Sequence, residues 1–152
     1  MVDSLDVVIL GATEIDTDFN VNVLTGSDGV IRGAIGGHPD TAAGASLSIV
    51  VAPLTRGRIP CVIDRVNTVV TPGGTVDVVV TDQGVAVNPR RPEVERKLRR
   101  AGIKVYTIEE LRDKALALVG RPDPIRYTDR VVGVVMYRNN TIIDVIRQVD
   151  ES

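Results

Sequence analysis

Short runs of Val, Ile and Leu recur along this chain, and they constrain its fold more than any other feature. Most of these runs are nearly continuous in apolar residues rather than alternating, which is typical of strands buried on both faces of a sheet. Because only 3% of the residues are aromatic, these aliphatic side chains must fill the core. The predicted strands are Leu5–Leu10, Leu47–Leu54, Val66–Thr71, Val76–Thr81, Lys104–Tyr106 and Val131–Tyr137.

Three helices are predicted among the strands. Glu93–Ala101 follows a proline and precedes a glycine, the usual asymmetry of helix ends. Ile108–Val119 is opened by a capping box, Thr107-x-x-Glu110, and is closed by a glycine. A short helix rich in small residues is predicted over Pro39–Ser46. Strand and helix alternate around the last two helices, so the sequence predicts an α/β fold with a mixed, mostly parallel sheet and flanking helices.

Two turn signals complete the predicted layout. Pro72–Gly74 indicates a tight turn between two strands. Asn139-Asn140 indicates a two-residue hairpin loop that joins Val131–Arg138 to Thr141–Val149. Because the last strand largely alternates between apolar and polar residues, we expect it to lie half exposed at an edge.

Charge and composition exclude several classes of function. The net charge of −2 argues against a general nucleic-acid binder, which needs a surplus of basic residues. The single cysteine, Cys61, lies in an apolar run and is predicted to be buried; it excludes an internal disulfide. The sequence has neither a signal-peptide pattern nor an apolar run long enough to span a membrane. We therefore expect a soluble cytoplasmic protein formed by one domain, residues 1–152.

A loop rich in side-chain acceptors follows the first predicted strand. Its spacing begins like that of a calcium loop, but Val21 and Ser27 occupy positions that require a glycine and a glutamate, so we expect no metal site. One interpretation is a polar turn held by Asx hydrogen bonds. The other is a pocket wall in which Glu14, with Asn20 or Asn22, holds a carboxylate or polarises a carbonyl. The acceptors are Glu14, Asp16, Asp18, Asn20 and Asn22.

A glycine-rich segment, Gly33–Asp40, follows the polar loop. It matches neither a P-loop nor the dinucleotide-binding pattern, and a bare Gly-Gly also occurs in simple turns. The functional interpretation is that the amides of Gly36 or Gly37 stabilise negative oxygen on a thioester. Because no Ser or Cys nucleophile is near His38 in the sequence, a packing or ligand-contacting role is favoured over general-base catalysis. The candidate substrate- or CoA-binding residues in this segment are Gly33, His38 and Asp40.

A dense basic cluster lies on and beside the predicted helix Glu93–Ala101. A solvated helix face is one interpretation. The other is a docking patch for an anionic protein or a phosphate-bearing cofactor. The basic residues are Arg90, Arg91, Arg96, Lys97, Arg99, Arg100 and Lys104.

These segments resemble the C-terminal half of the citrate lyase α subunit, a citrate CoA-transferase. The resemblance extends over nearly the whole chain. It rests on LGATEIDTDFNVNVLTGSDGVIRGAIGGHPDTA, SIVVAPLTRGRIPCVID, VDVVVTDQGVAVNPRRPE, AGIKVYTIEELRDKA and DRVVGVVMYR. The segments LGATEID, GAIGG and VVVTDQGVAV are also similar to parts of the wider CoA-transferase group. The resemblance implies a CoA-transferase-like fold, in a subunit of two halves with the active site between them.

The resemblance also implies a reaction and its partners. A citrate carboxylate attacks the acetyl thioester of an acyl carrier subunit, and the carrier thiolate then takes the citryl group and releases acetate. A separate lyase subunit cleaves the citryl carrier. No tightly bound cofactor is implied, because the co-substrate is acyl-CoA or the phosphopantetheine-type prosthetic group of the carrier. The implied partners are the N-terminal transferase half, the acyl carrier subunit and the lyase subunit, in an oligomer without nucleic acid or membrane.

The resemblance places Gly36 and Gly37 in a loop that lies against the thioester, with Glu14, Asn20 and Asn22 in the loop beside it. In relatives that use a catalytic glutamate, that residue precedes the LGA strand, so we expect it in the N-terminal half. Two alternatives stay open. One is a CoA-transferase or acyl-CoA hydrolase for another carboxylic acid. The other is a non-catalytic assembly domain that binds partners through the basic helix and an edge strand.

Overall fold

The computed structural model describes residues 4–150, in which three α-helices and twelve β-strands form. The helices are α1 (His38–Gly44), α2 (Pro92–Arg100) and α3 (Ile108–Val119). The strands are β1 (Leu5–Gly11), β2 (Glu14–Asp16), β3 (Val21–Asn22), β4 (Ala45–Val51), β5 (Thr55–Arg56), β6 (Ile59–Pro60), β7 (Val62–Ile63), β8 (Val78–Thr81), β9 (Gly84–Val87), β10 (Val105–Tyr106), β11 (Tyr127–Met136) and β12 (Ile142–Val149). None of the described helices is long and apolar enough to cross a membrane.

A five-stranded sheet in the order β1-β4-β8-β9-β10 forms the centre of the fold. β1 pairs in parallel with β4, β4 with β8, and β9 with β10, whereas β8 and β9 form an antiparallel pair. The predicted α/β class with a mixed, mostly parallel sheet is therefore confirmed. β9 is not among the predicted strands, because it is only four residues long and begins with a glycine.

The three predicted helices are confirmed to within two residues at each end. α3 begins at the predicted capping box, since the Thr107 side chain accepts from the Glu110 amide and the Glu110 carboxylate accepts from the Thr107 amide. α2 ends at Arg100, and Gly102, two residues further on, has a φ of 78° that permits a Schellman-type closure of the last turn. Local sequence signals therefore determine where these two helices begin and end.

One face of the central sheet contains the main core. Val50 and Val79 from this face are fully buried in one cluster with Leu111 and Ala115 of α3. Cys61 is buried in the same cluster, as predicted. The packing of α3 on this face therefore encloses the centre of the domain in aliphatic side chains.

The opposite face of the central sheet is covered only in part. Val78, Val87 and Val105 are buried at the β8–β10 end, where α2 packs on the sheet. At the β1–β4 end, Val7 is 51% exposed and Ile9 is 67% exposed. The first strand is therefore not among those buried on both faces within residues 4–150, because Val7 and Ile9 stay exposed on this side.

Val66–Thr71, predicted as a strand, is an irregular loop. The amides of Val70 and Thr71 donate to the Val21 carbonyl of β3, but those of Asn67 and Val69 bond to carboxylates of other segments. Asn67 N donates to Glu14 Oε2 at 3.2 Å, and Val69 N donates to Asp144 Oδ2 at 2.7 Å. The run is apolar because much of it is buried, but only its last two residues bond to a strand, and hydrophobicity alone does not reveal that the others bond to side chains.

β11 and β12 form a separate two-stranded antiparallel hairpin, as predicted. The loop is longer than the two residues predicted, because Tyr137 N donates to the Thr141 carbonyl at 2.8 Å and leaves residues 138–140 to make the turn. Asn140 takes a φ of 65° at the last of these positions, which is common for three-residue hairpin loops. β12 is half exposed, also as predicted.

Candidate active site

Glu14 is the buried centre of the candidate site. It lies in β2, the middle strand of a small sheet ordered β3-β2-β7, shortly after the carboxyl end of β1. Asn22 donates from Nδ2 to Glu14 Oε2 at 2.9 Å. Asn67 donates twice, from its main-chain N to Oε2 at 3.2 Å and from Nδ2 to Oε1 at 2.9 Å. Three N–H donors thus hold the carboxylate of a residue that is only 2% exposed.

Asn67 is a site residue that the sequence does not reveal. It follows Glu14 by 53 positions and stands in a run whose composition predicts a strand. Parallel pairing of β2 with β7 brings the chain that leads into its loop alongside Glu14. Because all three groups around the carboxylate are donors, the arrangement fits the ionised form, which only accepts hydrogen bonds.

Burial raises the pKa of Glu14 above its ordinary value of 4.5, and the hydrogen bonds from Asn22 and Asn67 oppose that shift. We expect Asn67→Ala to raise the pKa of Glu14 further, because the Nδ2 donor to the charged form is lost. A carboxyl group whose pKa is raised by folding contributes stability that is present below 4.5 and is lost as pH rises through the folded pKa. The variant should therefore lose more stability than the wild type on going from acidic to neutral pH.

Two measurements check this prediction. A carboxyl ¹³C NMR titration reports the pKa of Glu14 in each protein, and urea unfolding near pH 5 and near pH 7 reports the pH dependence of stability. An identical Glu14 pKa in the wild type and in Asn67→Ala would show that the Nδ2 donor does not stabilise the charge.

Asn20 and Asn22 direct their side chains into the loop itself. Asn22 is fully buried, and its Oδ1 accepts from the amides of Leu24 and Thr25 at 3.0 and 3.1 Å. Asn20 Oδ1 accepts from the Gly73 amide at 2.9 Å. The contacts of Asn22 are the Asx hydrogen bonds of the polar-turn interpretation. Asn22 thus contacts Glu14, whereas Asn20 bonds to Asp16 and Gly73 and lines neither cleft that reaches Glu14; contact of either asparagine with a substrate stays a prediction.

A cleft of about 260 Å³ reaches Glu14 and contains two arginines. Arg56, in the β5–β6 hairpin, donates from Nη2 to the Ala12 carbonyl at 3.2 Å and forms no ion pair within residues 4–150. Arg32 is paired with Asp28. Because Arg56 has no carboxylate partner there, the cleft suits a small anionic ligand. The other lining residues are Asp28, the partner of Arg32, and Thr13, Gly26, Ser27 and Ile59.

Other candidate ligand sites fit an anion beside Glu14 less well. A cleft of about 240 Å³ also reaches Glu14, but two further carboxylates, Asp64 and Asp123, line it beside Arg65 and Arg121, and Arg121 is paired with Asp64 at 2.5 Å. A larger cavity of about 590 Å³ lies beside Tyr106 at the start of α3 and contains none of the predicted site residues. Within residues 4–150, no group of three or more His, Cys, Asp or Glu side chains is arranged to hold a metal ion.

The Gly33–Asp40 segment leaves its double glycine open. Gly36 takes a φ of 54°, and a Cβ at Gly36 or Gly37 would meet no atom closer than 4.0 Å. Neither amide has a protein acceptor in the described part of the chain. Gly33 differs, because a Cβ there would lie 2.2 Å from the Val23 carbonyl oxygen, so the loop packs closely at that point. The N–H groups of the double glycine are therefore available to a ligand oxygen.

His38 connects the glycine loop to the strand end that leads to Glu14. His38 Nε2 lies 2.9 Å from the Gly11 carbonyl oxygen, and Nδ1 lies 2.6 Å from Thr71 Oγ1. Since a carbonyl only accepts, we assign the hydrogen to Nε2, and Nδ1 accepts from the threonine hydroxyl. Burial lowers the pKa of His38, which favours this neutral ring. Both nitrogens are thus occupied in anchoring the loop, and Asp40 follows in the first turn of α1.

The basic cluster is partly structural. The buried carboxylate of Asp77 is bridged by Arg90 and Arg91, at 2.6 and 2.8 Å. Arg99 pairs with Glu95 at 2.7 Å along α2. These three arginines therefore have partners inside the domain, as in the interpretation of a solvated helix face. The exposed remainder consists of Arg96, Lys97, Arg100 and Lys104.

Known proteins resemble the whole of this chain. Residues 1–149 match the family described as citrate lyase, alpha subunit (CitF). The chain is 63% identical to the citrate lyase alpha chain of Escherichia coli (strain K12) over 150 residues, which are 99% of this chain and 29% of that relative. It is also 63% identical to the citrate lyase alpha chain of Klebsiella pneumoniae over 99% of this chain and 30% of that relative.

A solved structure shares the fold. The alpha subunit of citrate lyase from Streptococcus mutans, crystallised in complex with citrate, has a TM-score of 0.96 and 55% identity, over 99% of this chain and 29% of that chain. The chain therefore spans less than a third of the length of the relatives that it matches.

Proposed function

Because this chain belongs to the citrate lyase alpha subunit family, we propose that it provides part of the C-terminal half of a citrate CoA-transferase. The observation that carries the proposal is 63% identity to a citrate lyase alpha chain over 99% of this chain. The geometry adds a chemical reason, because hydrogen bonds connect both the double-glycine loop and the Glu14 cleft to the carboxyl end of β1. His38 bonds to the Gly11 carbonyl, and Arg56 bonds to the Ala12 carbonyl.

The proposed reaction exchanges acyl groups on a thiol. A citrate carboxylate oxygen attacks the carbonyl carbon of an acetyl thioester, the C–S bond breaks, and a citric–acetic anhydride and a thiolate form. The thiolate then attacks the citryl carbonyl of the anhydride, and acetate leaves. The substrates supply both the nucleophile and the leaving group. The contribution of the protein is therefore to position them and to stabilise negative oxygen.

Each part of the site has a role in this scheme. The amides of Gly36 and Gly37 donate to the oxyanion that develops in each attack. Arg56 holds a citrate carboxylate through charge-assisted hydrogen bonds and offsets the repulsion between citrate and Glu14. Asn67 fixes the Glu14 carboxylate, and with it the loop that joins the two subsites.

The co-substrate and partners follow from the same proposal. The thiol belongs to acyl-CoA or to the phosphopantetheine-type group of an acyl carrier subunit, and no tightly bound cofactor takes part. The relatives are alpha chains of citrate lyase, which supports partner subunits in general terms. We propose that these partners are the N-terminal transferase half, the carrier subunit and the lyase subunit. Citrate in the S. mutans crystal structure supports citrate as the acceptor acid.

The function is tested in a chimera, in which this chain replaces the matched segment of the E. coli citrate lyase alpha chain. The chimera is assayed for conversion of acetyl carrier and citrate into citryl carrier and acetate, and we expect this exchange. Transfer to another di- or tricarboxylic acid, but not to citrate, would reassign the substrate. Hydrolysis of acetyl-CoA without an acceptor acid would identify a hydrolase. A folded chimera that binds neither substrate would favour the assembly domain.

Arg56→Ala is expected to weaken citrate binding by the chimera about 10- to 100-fold, the range for loss of a hydrogen bond to a charged group. The matched control is Arg58→Ala, because Arg58 lies in the same hairpin but does not line the 260 Å³ cleft. Titration calorimetry with citrate measures both. Equal loss in the two variants, or no loss in Arg56→Ala, would exclude Arg56 as the citrate contact.

A further inference from the structure

The uncovered sheet face at β1 and β4 has the properties of an interface. The parallel register places Val7 beside Leu47, Ile9 beside Ile49 and Gly11 beside Val51. These residues alternate with those that face the main core, so they share one face of the sheet. We call this surface the open face, and define it by Val7, Ile9, Leu47, Ile49 and Val51.

The open face is apolar and accessible to solvent. Val7, Ile9 and Val51 are 51%, 67% and 43% exposed. α2 covers the continuation of the same face over β8–β10, where Val94 and Leu98 pack against the sheet. Parallel strands are normally buried on both faces, because their crossover connections place helices there. Within residues 4–150, this face of the sheet is therefore covered over β8–β10 and uncovered over β1 and β4.

The relatives are much longer than this chain. The same domain fold, at a TM-score of 0.96, occupies only 29% of the S. mutans alpha subunit, and the matched segment is 29% of the E. coli chain. More than two thirds of each relative is thus additional polypeptide. We infer that the open face is the docking surface for an apolar helical face of that additional polypeptide. This inference rests on the part of the proposed function that supplies a second half, and it does not depend on the reaction.

The test compares the accessibility of Ile9 in the isolated chain and in the chimera. Leu118 is the matched control, because it is an aliphatic side chain 66% exposed on α3, which packs on the other face of the sheet. Hydroxyl-radical labelling with mass spectrometry measures both side chains. We expect the labelling of Ile9 to fall at least about fivefold in the chimera and that of Leu118 less than about twofold, since the core of an interface excludes water.

Substitution provides a second measurement. In the isolated chain, Ile9→Lys and Leu118→Lys should have similar melting temperatures, because both side chains are exposed. In the chimera, Ile9→Lys should lower the melting temperature by about 5 °C or more relative to Leu118→Lys, because the lysine is buried in an apolar interface.

The outcomes separate this inference from the proposed function. Equal labelling of Ile9 in the isolated chain and in the chimera would overturn it, as would equal melting temperatures of the two chimera variants. An isolated chain that dimerises and already protects Ile9 would assign the open face to a second copy and would also overturn it. Protection of Ile9 in a chimera without transferase activity would support the interface and count against the reaction.

Discussion

Gly37→Val is expected to abolish acetyl-to-citryl exchange in the chimera, by at least about 100-fold, while the fold is retained. The backbone at Gly37 has φ −90° and ψ 13°, which a valine can adopt. A Cβ at this position would approach only Thr41 Cγ2, at 4.0 Å. The added methyl groups therefore point into open space that the proposed thioester carbonyl occupies. The variant removes access to the N–H donors without removing the donors themselves.

The matched control for this prediction is Gly74→Val. Gly74 is exposed, a Cβ there would meet no atom within 4 Å, and it lies in the short 3₁₀ turn before β8. We expect Gly74→Val to retain exchange and Gly37→Val to lose it, with both proteins unfolding cooperatively. Steady-state assay with an acetyl carrier and citrate measures the rate. Full activity in Gly37→Val, or equal loss in the two variants, would contradict the oxyanion role of the double glycine.

Glu14→Ala is expected to reduce exchange at least about 100-fold and to lower the free energy of unfolding by about 2 kcal/mol. The substitution removes the carboxylate acceptor of the main-chain N and Nδ2 of Asn67, whereas Asn22 Nδ2 keeps its bonds to the carbonyl and hydroxyl oxygens of Thr25. Each unsatisfied buried donor costs about 1–3 kcal/mol, and relief of the buried charge offsets part of that cost. The loop between β1 and β3 then loses the contacts that hold it beside the cleft.

Urea unfolding measures the stability of Glu14→Ala, and the exchange assay is run at a temperature where the variant is folded. Glu14→Gln is not expected to restore the wild type, because its NH₂ group must face a donor in a site that contains only donors. Glu109→Ala, at an exposed position on α3, serves as the control and should change stability by less than about 0.5 kcal/mol. Wild-type stability and activity in Glu14→Ala would show that Glu14 is not the central residue of the site.

The parts of this fold that sequence predicts are those determined by neighbours along the chain. α3 begins at the capping box of Thr107 and Glu110 because both partners lie within one turn. Gly102 ends α2 for an equally local reason, its positive φ. The polar loop and the glycine loop are also visible in sequence, because each is marked by the types and spacing of residues that are neighbours in the chain.

The parts that sequence does not predict depend on distant partners. Val66–Thr71 has the composition of a strand, yet the amides of Asn67 and Val69 bond to the carboxylates of Glu14 and Asp144. Asn67 therefore belongs to the site through contacts with residues distant in the sequence, which no local pattern predicts. Arg56 reaches the Ala12 carbonyl across 44 positions for the same reason. Sequence does not predict the exposure of β1 for a further reason, because an apolar strand does not indicate which polypeptide covers it.

The most direct test of this account is a crystal structure of the chimera with a non-reactive acetyl-CoA analogue whose carbonyl oxygen mimics that of the thioester. The predicted result is a carbonyl oxygen about 2.7–3.1 Å from the main-chain N of Gly36 or Gly37, the distance at which an oxyanion donor acts. A carbonyl bound elsewhere, with both glycine amides facing solvent, would contradict the claim that these amides stabilise the transferring acyl group.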